Sequence, residues 1–246
     1  MNKYEELNKI IKQSNSIVVF TGAGISVPSG IPDFRSAKGI YNEKYNSLYR
    51  PEDIISHSFF YKHTEDFYLF YKSKMMYLEA KPNKAHQYFA NLEARTNKQI
   101  SVVTQNIDGL HQLAGSKRVY ELHGSIHRNY CENCHAFYDA KYVKDSYDVP
   151  TCPKCGGIIK PDVVLYEEGL DDAVVSRAIA AISTCQTMIV IGTSLVVYPA
   201  AAYLRYFRGN NLILINKDET QYDEYCSLVF HEDIIHVIDE LEKIEK

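Results

Sequence analysis

Two C-x-x-C pairs, "CENC" at Cys131 and Cys134 and "CPKC" at Cys152 and Cys155, lie seventeen residues apart, with Gly156 and Gly157 after the second pair. Four thiolates at this spacing close a tetrahedral shell around one metal ion, as in a zinc ribbon, and commit a short stretch of chain to a module of its own. Two disulfides or a redox pair would use the same residues. A reducing compartment disfavours both, and the charged opening "MNKYEELNKIIKQSNS" lacks the apolar core of a secretory signal, so a cytoplasmic location is expected. A shell of four thiolates leaves no position for water or substrate, so one structural Zn2+ per chain is expected. The stretch is too short for a core of its own, and apparent zinc-binding energies of about 10–16 kcal/mol in small modules suffice to hold one together. Cys185 and Cys226 lie beside or within apolar segments and read as packing residues.

The rest of the chain is patterned differently. Short apolar runs end in polar loops: "SIVVF" before "TGAG", "ISVV" before "TQNIDGLH", "VYEL" before "HGS", "MIVI" before "GTSL" and "LILI" before Asn216. Helical patterns fall between several of them. Tyr4, Leu7 and Ile11 form one stripe over 4–13, Pro82 opens a helix to about Arg95, and Asp171 or Asp172 caps "DDAVVSRAIAAIS". A further helix is expected after Pro199. Strands alternating with helices imply an α/β, Rossmann-like, doubly wound parallel sheet, whose ligands bind beyond the carboxyl ends of the strands. The 246 residues, 46% hydrophobic, fit one large or two modest domains. Residues 51–79, opened by Pro51, read as a helical insertion dense in aromatics, and 36–50 as a mobile loop. A net charge of −4 gives no bulk attraction to nucleic acid or anionic membrane. The ribbon carries no dense Lys/Arg stripe, and no apolar run approaches the ~18 residues of a membrane span. Neither partner is expected.

Three strand ends suit an extended dinucleotide. Gly22 and Gly24 follow the first strand and can present backbone N–H groups to a pyrophosphate. Gly192, Thr193 and Ser194 follow another, and Asn216 offers an amide to ribose hydroxyls at a third. A glycine-rich turn alone is weak evidence, since tight corners are common. Dehydrogenases place an acidic residue about twenty positions on, at a strand end; here Glu43 lies in no evident strand, so hydride transfer is disfavoured. The segment "PDFR", with Asp33, Phe34 and Arg35, is then expected at the nicotinamide end. "TQNIDGLH" adds Gln105, Asn106 and Asp108, and His123, beside a glycine, is suited to proton transfer near neutral pH. The other eight histidines carry no comparable signal. The joint occurrence of these strand-end residues with His123 carries the argument, since each residue alone has an ordinary structural reading.

Taken together, "GAGISVPSGIPDFRS", "TQNIDGLH", "HG", both C-x-x-C pairs, "GTSLVVYPA" and "LIN" make the chain resemble the sirtuins, NAD-dependent protein lysine deacylases, and a bacterial member in particular. The resemblance spans nearly the whole chain. It implies a large Rossmann-like domain over 1–35, 80–127 and 161–246, and a smaller domain in which the helical insertion at 36–79 joins the zinc ribbon at 128–160. NAD and an acyl-lysine protein substrate would enter the cleft between them. NAD would be consumed: acetyl would leave lysine as O-acetyl-ADP-ribose, with nicotinamide released. By the same resemblance Ala23, Phe34, Arg35, Gln105, Ile107, Asp108 and His123 line the NAD site. Asp108 and Ile107 would recognise the carboxamide and Phe34 would shield the reactive carbon. His123 would be the general base, Asn106 would order water and ribose, and Thr193, Ser194, Asn216 and Asp233 would hold the adenosine half. Val164 and Tyr166 would contact the acyl-lysine peptide.

Three positions depart from the family pattern. Glu167 stands where relatives carry Gly, and Val27, at the NAD site, stands where many carry Thr. Tyr71, expected at the acyl group, is followed three residues later by Lys74 rather than the Arg of relatives that remove acidic acyl groups. Lysine lacks the bidentate geometry of arginine, so deacetylation is expected ahead of desuccinylation. The rival enzymatic reading is mono-ADP-ribosyl transfer to protein; the non-enzymatic ones are an NAD-sensing or nucleic-acid-binding module.

Overall fold

The computed structural model describes residues 1–34, 39–40 and 49–245. Arg35, Glu43 and most of the 36–50 stretch lie outside the described residues. The chain begins with α1 (Lys3–Gln13), started by a capping box between Asn2 and Glu5 and burying Leu7 and Ile11. It leads into β1 (Ser16–Thr21) and two short 3-10 turns, Ala23–Ile25 and Val27–Ser29. The insertion then forms α2 (Pro51–Ile54), α3 (His57–Lys62) and α4 (Thr64–Lys74). Next comes α5 (Lys84–Arg95), two residues after the start expected at Pro82, because the Asn83 side chain accepts from Ala85 N and makes Asn83 the cap.

β2 (Gln99–Thr104), α6 (Leu110–Leu113) and β3 (Val119–Glu121) return the chain to the sheet. β4 (Gly124–Cys131), β5 (Phe137–Tyr138), α7 (Ala140–Asp145) and β6 (Ile159–Val163) make the zinc-ribbon region. The last part comprises α8 (Asp172–Thr184), capped by Asp171, then β7 (Thr187–Ile191) and a 3-10 stretch at Ala200–Tyr206 in place of the helix expected there. β8 (Asn211–Ile215), β9 (Leu228–Phe230) and α9 (Ile234–Glu245) complete it.

The large sheet is parallel throughout, in the order β3-β2-β1-β7-β8-β9. Strand order reverses between β1 and β7, which is where a doubly wound sheet opens a crevice for ligand. The register aligns the carboxyl ends: Thr21 lies opposite Thr104 and Ile191, and Ile191 opposite Ile215. Alternate β1 residues feed two cores. Ile17 and Val19 pack with α1, α5 and α9, while Val18 and Phe20 pack with α8 and the 200–206 stretch. Burial on both faces accounts for strands that are continuously apolar.

A second sheet, β5-β4-β6, is antiparallel. Its core is aromatic: Phe60, Phe67, Tyr68, Phe70 and Tyr71 pack with Ile159 and Val163. The chain crosses from the large sheet to this one between Glu121 and Gly124. Gly124 has φ 77°, and a Cβ there would stand 1.9 Å from the carbonyl oxygen of Asp162, so only glycine fits the crossing. Arg128 bolts the junction, reaching Glu121 and Asp162 at 2.7 Å each. None of the described helices is long and apolar enough to cross a membrane.

Candidate active site

His123 and Val164 occupy the two chain crossings between the sheets, and the Val164 N–H donates to the His123 carbonyl at 3.0 Å. The expected base and the expected peptide-binding segment are therefore neighbours. The His123 Nδ1 lies 3.0 Å from the Gln105 carbonyl oxygen, which can only accept. Nδ1 must carry the proton, leaving the Nε2 lone pair as the basic site. Burial depresses the imidazole below its usual range, so the ring is neutral near pH 7.

The loop after β2 is organised by carboxylate and hydroxyl contacts. Asp108 accepts from Ser26 Oγ at 2.6 Å and from Leu110 N at 2.9 Å. Asn106 Nδ2 donates to the same Ser26 hydroxyl at 3.1 Å. Burial raises the Asp108 carboxyl above its ordinary range, opposed by these two hydrogen bonds. Ser26 was not singled out from sequence; its place within the glycine-rich turn was the available signal. His127, also not anticipated, braces the loop from β4, with Nε2 3.0 Å from the Asp108 carbonyl oxygen. Ile107 and Phe34 both pack on the aromatic core of the smaller sheet.

On the other side of the crevice Gln105 Nε2 donates to Thr193 Oγ1 at 3.2 Å, which joins the loops after β2 and β7. Gly22 and Gly24 serve this junction first. A Cβ on Gly22 would lie 2.7 Å from Thr193 Cβ, and one on Gly24 would lie 2.6 Å from Gly192 Cα. The side-chain space that a ligand might have claimed is filled by the facing turn, so the glycines are required by turn-on-turn packing. Ala23 is half-buried, while Val27 and Ser194 are exposed.

Two expected adenosine contacts have other engagements. Asn216 Nδ2 donates to the Asp218 carbonyl at 2.8 Å. Asp233 accepts from Ile235 N at 2.8 Å at the start of α9 and pairs with Lys217 at 2.8 Å. Asp33 accepts from Ile40 N through its backbone carbonyl at 2.8 Å. Tyr71 is buried within the aromatic core and stacks on Phe67 at 5.4 Å, so its phenol is not presented at the surface.

The cysteines converge. All four Sγ atoms lie within 4.8 Å of one another, with Cys131 to Cys155 at 3.4 Å and Cys134 to Cys152 at 3.6 Å, and all four are free thiols. Zinc–sulfur bonds of about 2.3 Å in a tetrahedron need sulfur separations near 3.8 Å, so the set fits zinc. Each knuckle turns alike: His135 N donates to Cys131 O at 2.9 Å and Gly156 N to Cys152 O at 2.8 Å, with His135 and Gly156 both at positive φ.

A model described as the Sir2 family matches residues 22–199, which carry the turn, the base and the cysteines just described. The chain belongs to the Sir2 family. Similar proteins include the NAD-dependent protein deacetylase of Clostridium perfringens, 58% identical over 238 residues, which cover 96% of this chain and 97% of the relative. That of Clostridium acetobutylicum is 57% identical over 240 residues, 97% and 98% of the two chains. Among solved structures, Sir2 with a p53 peptide and NAD+ has a TM-score of 0.85 at 38% identity, covering 100% of this chain and 99% of that one. A Sir2 variant with deacetylated p53 peptide and 3'-O-acetyl ADP-ribose has a TM-score of 0.89 at 39% identity, covering 99% and 98%.

Within this Sir2 chain the departure at Glu167 has a physical account. Its φ is 76°, a left-handed conformation that glycine adopts without strain, which is the residue the family resemblance leads one to expect there. Here the carboxylate accepts from Ser58 N at 2.8 Å and from the Ser58 hydroxyl. The neighbouring backbone is held too: His57 N donates to Tyr166 O at 2.9 Å and Tyr166 N to Ile55 O at 3.0 Å. The segment expected to bind peptide is thereby stitched to the helical insertion.

Proposed function

We propose that this Sir2-family protein is an NAD-dependent protein lysine deacetylase, coupling removal of acetyl from lysine to cleavage of NAD into nicotinamide and O-acetyl-ADP-ribose. The observation that carries the mechanism is the single free nitrogen of a neutral, oriented imidazole, His123 Nε2, beside the Val164 segment. Bound NAD supplies an electrophilic ribose carbon on departure of nicotinamide, which an amide oxygen, a weak nucleophile, needs in order to react. The chain supplies the rest. His123 Nε2 takes a proton from a ribose hydroxyl, and the Gln105 carbonyl stabilises the charge the ring then carries through the Nδ1–H bond. Asp108 and Ile107 hold the carboxamide end, with Ser26 and Asn106 fixing the Asp108 carboxylate. Phe34 covers the reacting centre and excludes water; Arg35, outside the described residues, is assigned to the NAD site by the family resemblance alone. Gly22, Ala23, Gly24 and Val27 lie along the phosphate side, and Asp33 belongs to the nicotinamide end. Gly192, Thr193, Ser194, Asn216 and Asp233 hold the adenosine half.

Val164 and Tyr166 present the acyl-lysine segment, between a Rossmann-like domain and a smaller one that zinc crosslinks at Cys131, Cys134, Cys152 and Cys155. Tyr71 lies in the aromatic core and gives no support to recognition of an acidic acyl group. Four reduced thiols suit the cytoplasm. The His123→Ala variant tests the assignment. Acetyl-lysine turnover is expected to fall by at least about 100-fold while NAD affinity by calorimetry stays within a few-fold. Turnover within tenfold of the parent would remove His123 from the role of base.

A further inference from the structure

Two histidines unused by this chemistry meet beneath the nucleotide turn. His86 on α5 and His111 on α6 are fully buried, with ring centroids 4.8 Å apart and planes inclined by 63°. Burial holds both imidazoles below the usual range, so both are neutral near pH 7. The outward nitrogens have partners: Asn83 N lies 3.3 Å from His86 Nδ1, and Thr21 Oγ1 lies 3.1 Å from His111 Nε2. The two that remain, His86 Nε2 and His111 Nδ1, are buried without a hydrogen-bond partner among the described residues. Native interiors seldom leave such atoms unmatched.

The outer bonds fix where the protons are. A backbone N–H only donates, so His86 Nδ1 carries a lone pair and its proton sits on Nε2. Thr21 Oγ1 donates its hydrogen to Thr104 Oγ1 at 2.8 Å, so toward His111 it accepts, and the His111 proton also sits on Nε2. His86 therefore offers an N–H where His111 offers a lone pair. We propose that His86 and His111 are a tautomer-matched pair, joined N–H to N through one bound water, and that they are positioning residues for the 22–29 turn of the NAD site.

The pair completes a ring of hydrogen bonds around that turn. On one side Asn83, whose N–H meets His86, donates from Nδ2 to Ile25 O at 2.7 Å and to Ser29 Oγ at 2.9 Å. On the other, His111 holds Thr21, the residue before Gly22, and Thr104 accepts from the backbone N–H of Asn106 at 3.0 Å. The turn is gripped at its start through His111 and at its end through His86, and the loop bearing Asn106 shares the grip. A break between the rings would separate the two grips without touching any residue at the reacting centre.

The functional half of this inference rests on the cleft being the NAD site; the nitrogen assignment does not. In full-length, zinc-loaded protein with nitrogen-15-labelled histidine at pH 7, long-range proton–nitrogen correlation is expected to show both rings as Nε2–H tautomers. His86→Gln and His111→Gln assign the signals. An Nδ1–H or cationic form of either ring overturns the pair. Kinetics read the positioning role: His111→Phe is expected to raise the KM for NAD about tenfold with the acetyl-peptide KM unchanged, since small misplacements of binding groups are costly. His111→Gln, which keeps a donor toward Thr21, is expected to recover most of that loss. An unchanged NAD KM in folded His111→Phe overturns the positioning role. Absence of NAD turnover in the parent protein would sink the functional reading and leave the tautomers standing.

Discussion

Glu167 shows how much a single position carries here. Its left-handed backbone disfavours any residue with a Cβ, and its carboxylate clasp on Ser58 opposes that strain, holding the carboxyl below its usual range. Glycine at this position would remove both effects, whereas alanine would remove only the clasp. Thermal unfolding of the two variants is therefore expected to rank Glu167→Gly above Glu167→Ala in Tm; the reverse order would contradict the strain assigned to this residue. Sequence flagged Glu167 as a departure but not its partner, because Ser58 lies more than a hundred positions away and has no unusual local pattern. Ser26, His127 and Arg128 were hidden for the same reason: each acts through a contact that the fold creates. His123 was legible because a histidine beside a glycine at a strand end already permits close approach of substrate to a group suited to proton transfer near neutral pH.

At the level of elements, strands with two buried faces announce themselves as apolar runs, and β1, β2, β7 and β8 fall where those runs do, as does the half-buried β3. β9 and α9 were not anticipated, the strand being only three residues long. The zinc-ribbon strands were equally unreadable, since the cysteines rather than periodicity organise them. That dependence makes a prediction. Removal of zinc by a strong chelator is expected to disorder β4, β5 and β6, seen as lost amide protection across 124–163, while the large sheet keeps its protection; an unaltered ribbon without zinc would refute a structural metal. The α5–α6 contact makes another, through the buried His86. Its pKa falls from 6.5 unfolded to about 4 folded. Below pH 6.5 the unfolded chain binds a proton that the native ring refuses, so stability present above that pH is lost as pH falls toward 4. The loss amounts to roughly 3 kcal/mol for this ring, and His111, also depressed by burial, adds with the same sign. Denaturant titrations at pH 7 and 5 are expected to show the lower stability at pH 5, with the difference reduced in His86→Gln; equal dependence in both would remove His86 as its source.

Across the whole molecule, the fold was legible because pattern, punctuation and cysteine spacing agree on one architecture. The placement of the cleft followed from strand order, which no local motif encodes. The parallel sheet aligns its carboxyl ends, the two crossings to the smaller sheet bring His123 beside Val164, and the turns after β1 and β7 interlock through glycines. The adenosine side was least legible, since Asn216 and Asp233 also serve their own loop and helix. All of these features converge on one reaction, which mass spectrometry of an acetyl-lysine peptide incubated with zinc-loaded protein, with and without NAD, tests most directly. The account predicts loss of acetyl only with NAD, matched by equal amounts of nicotinamide and O-acetyl-ADP-ribose. A peptide that stays acetylated while NAD is consumed, or loss of acetyl without NAD, would contradict it.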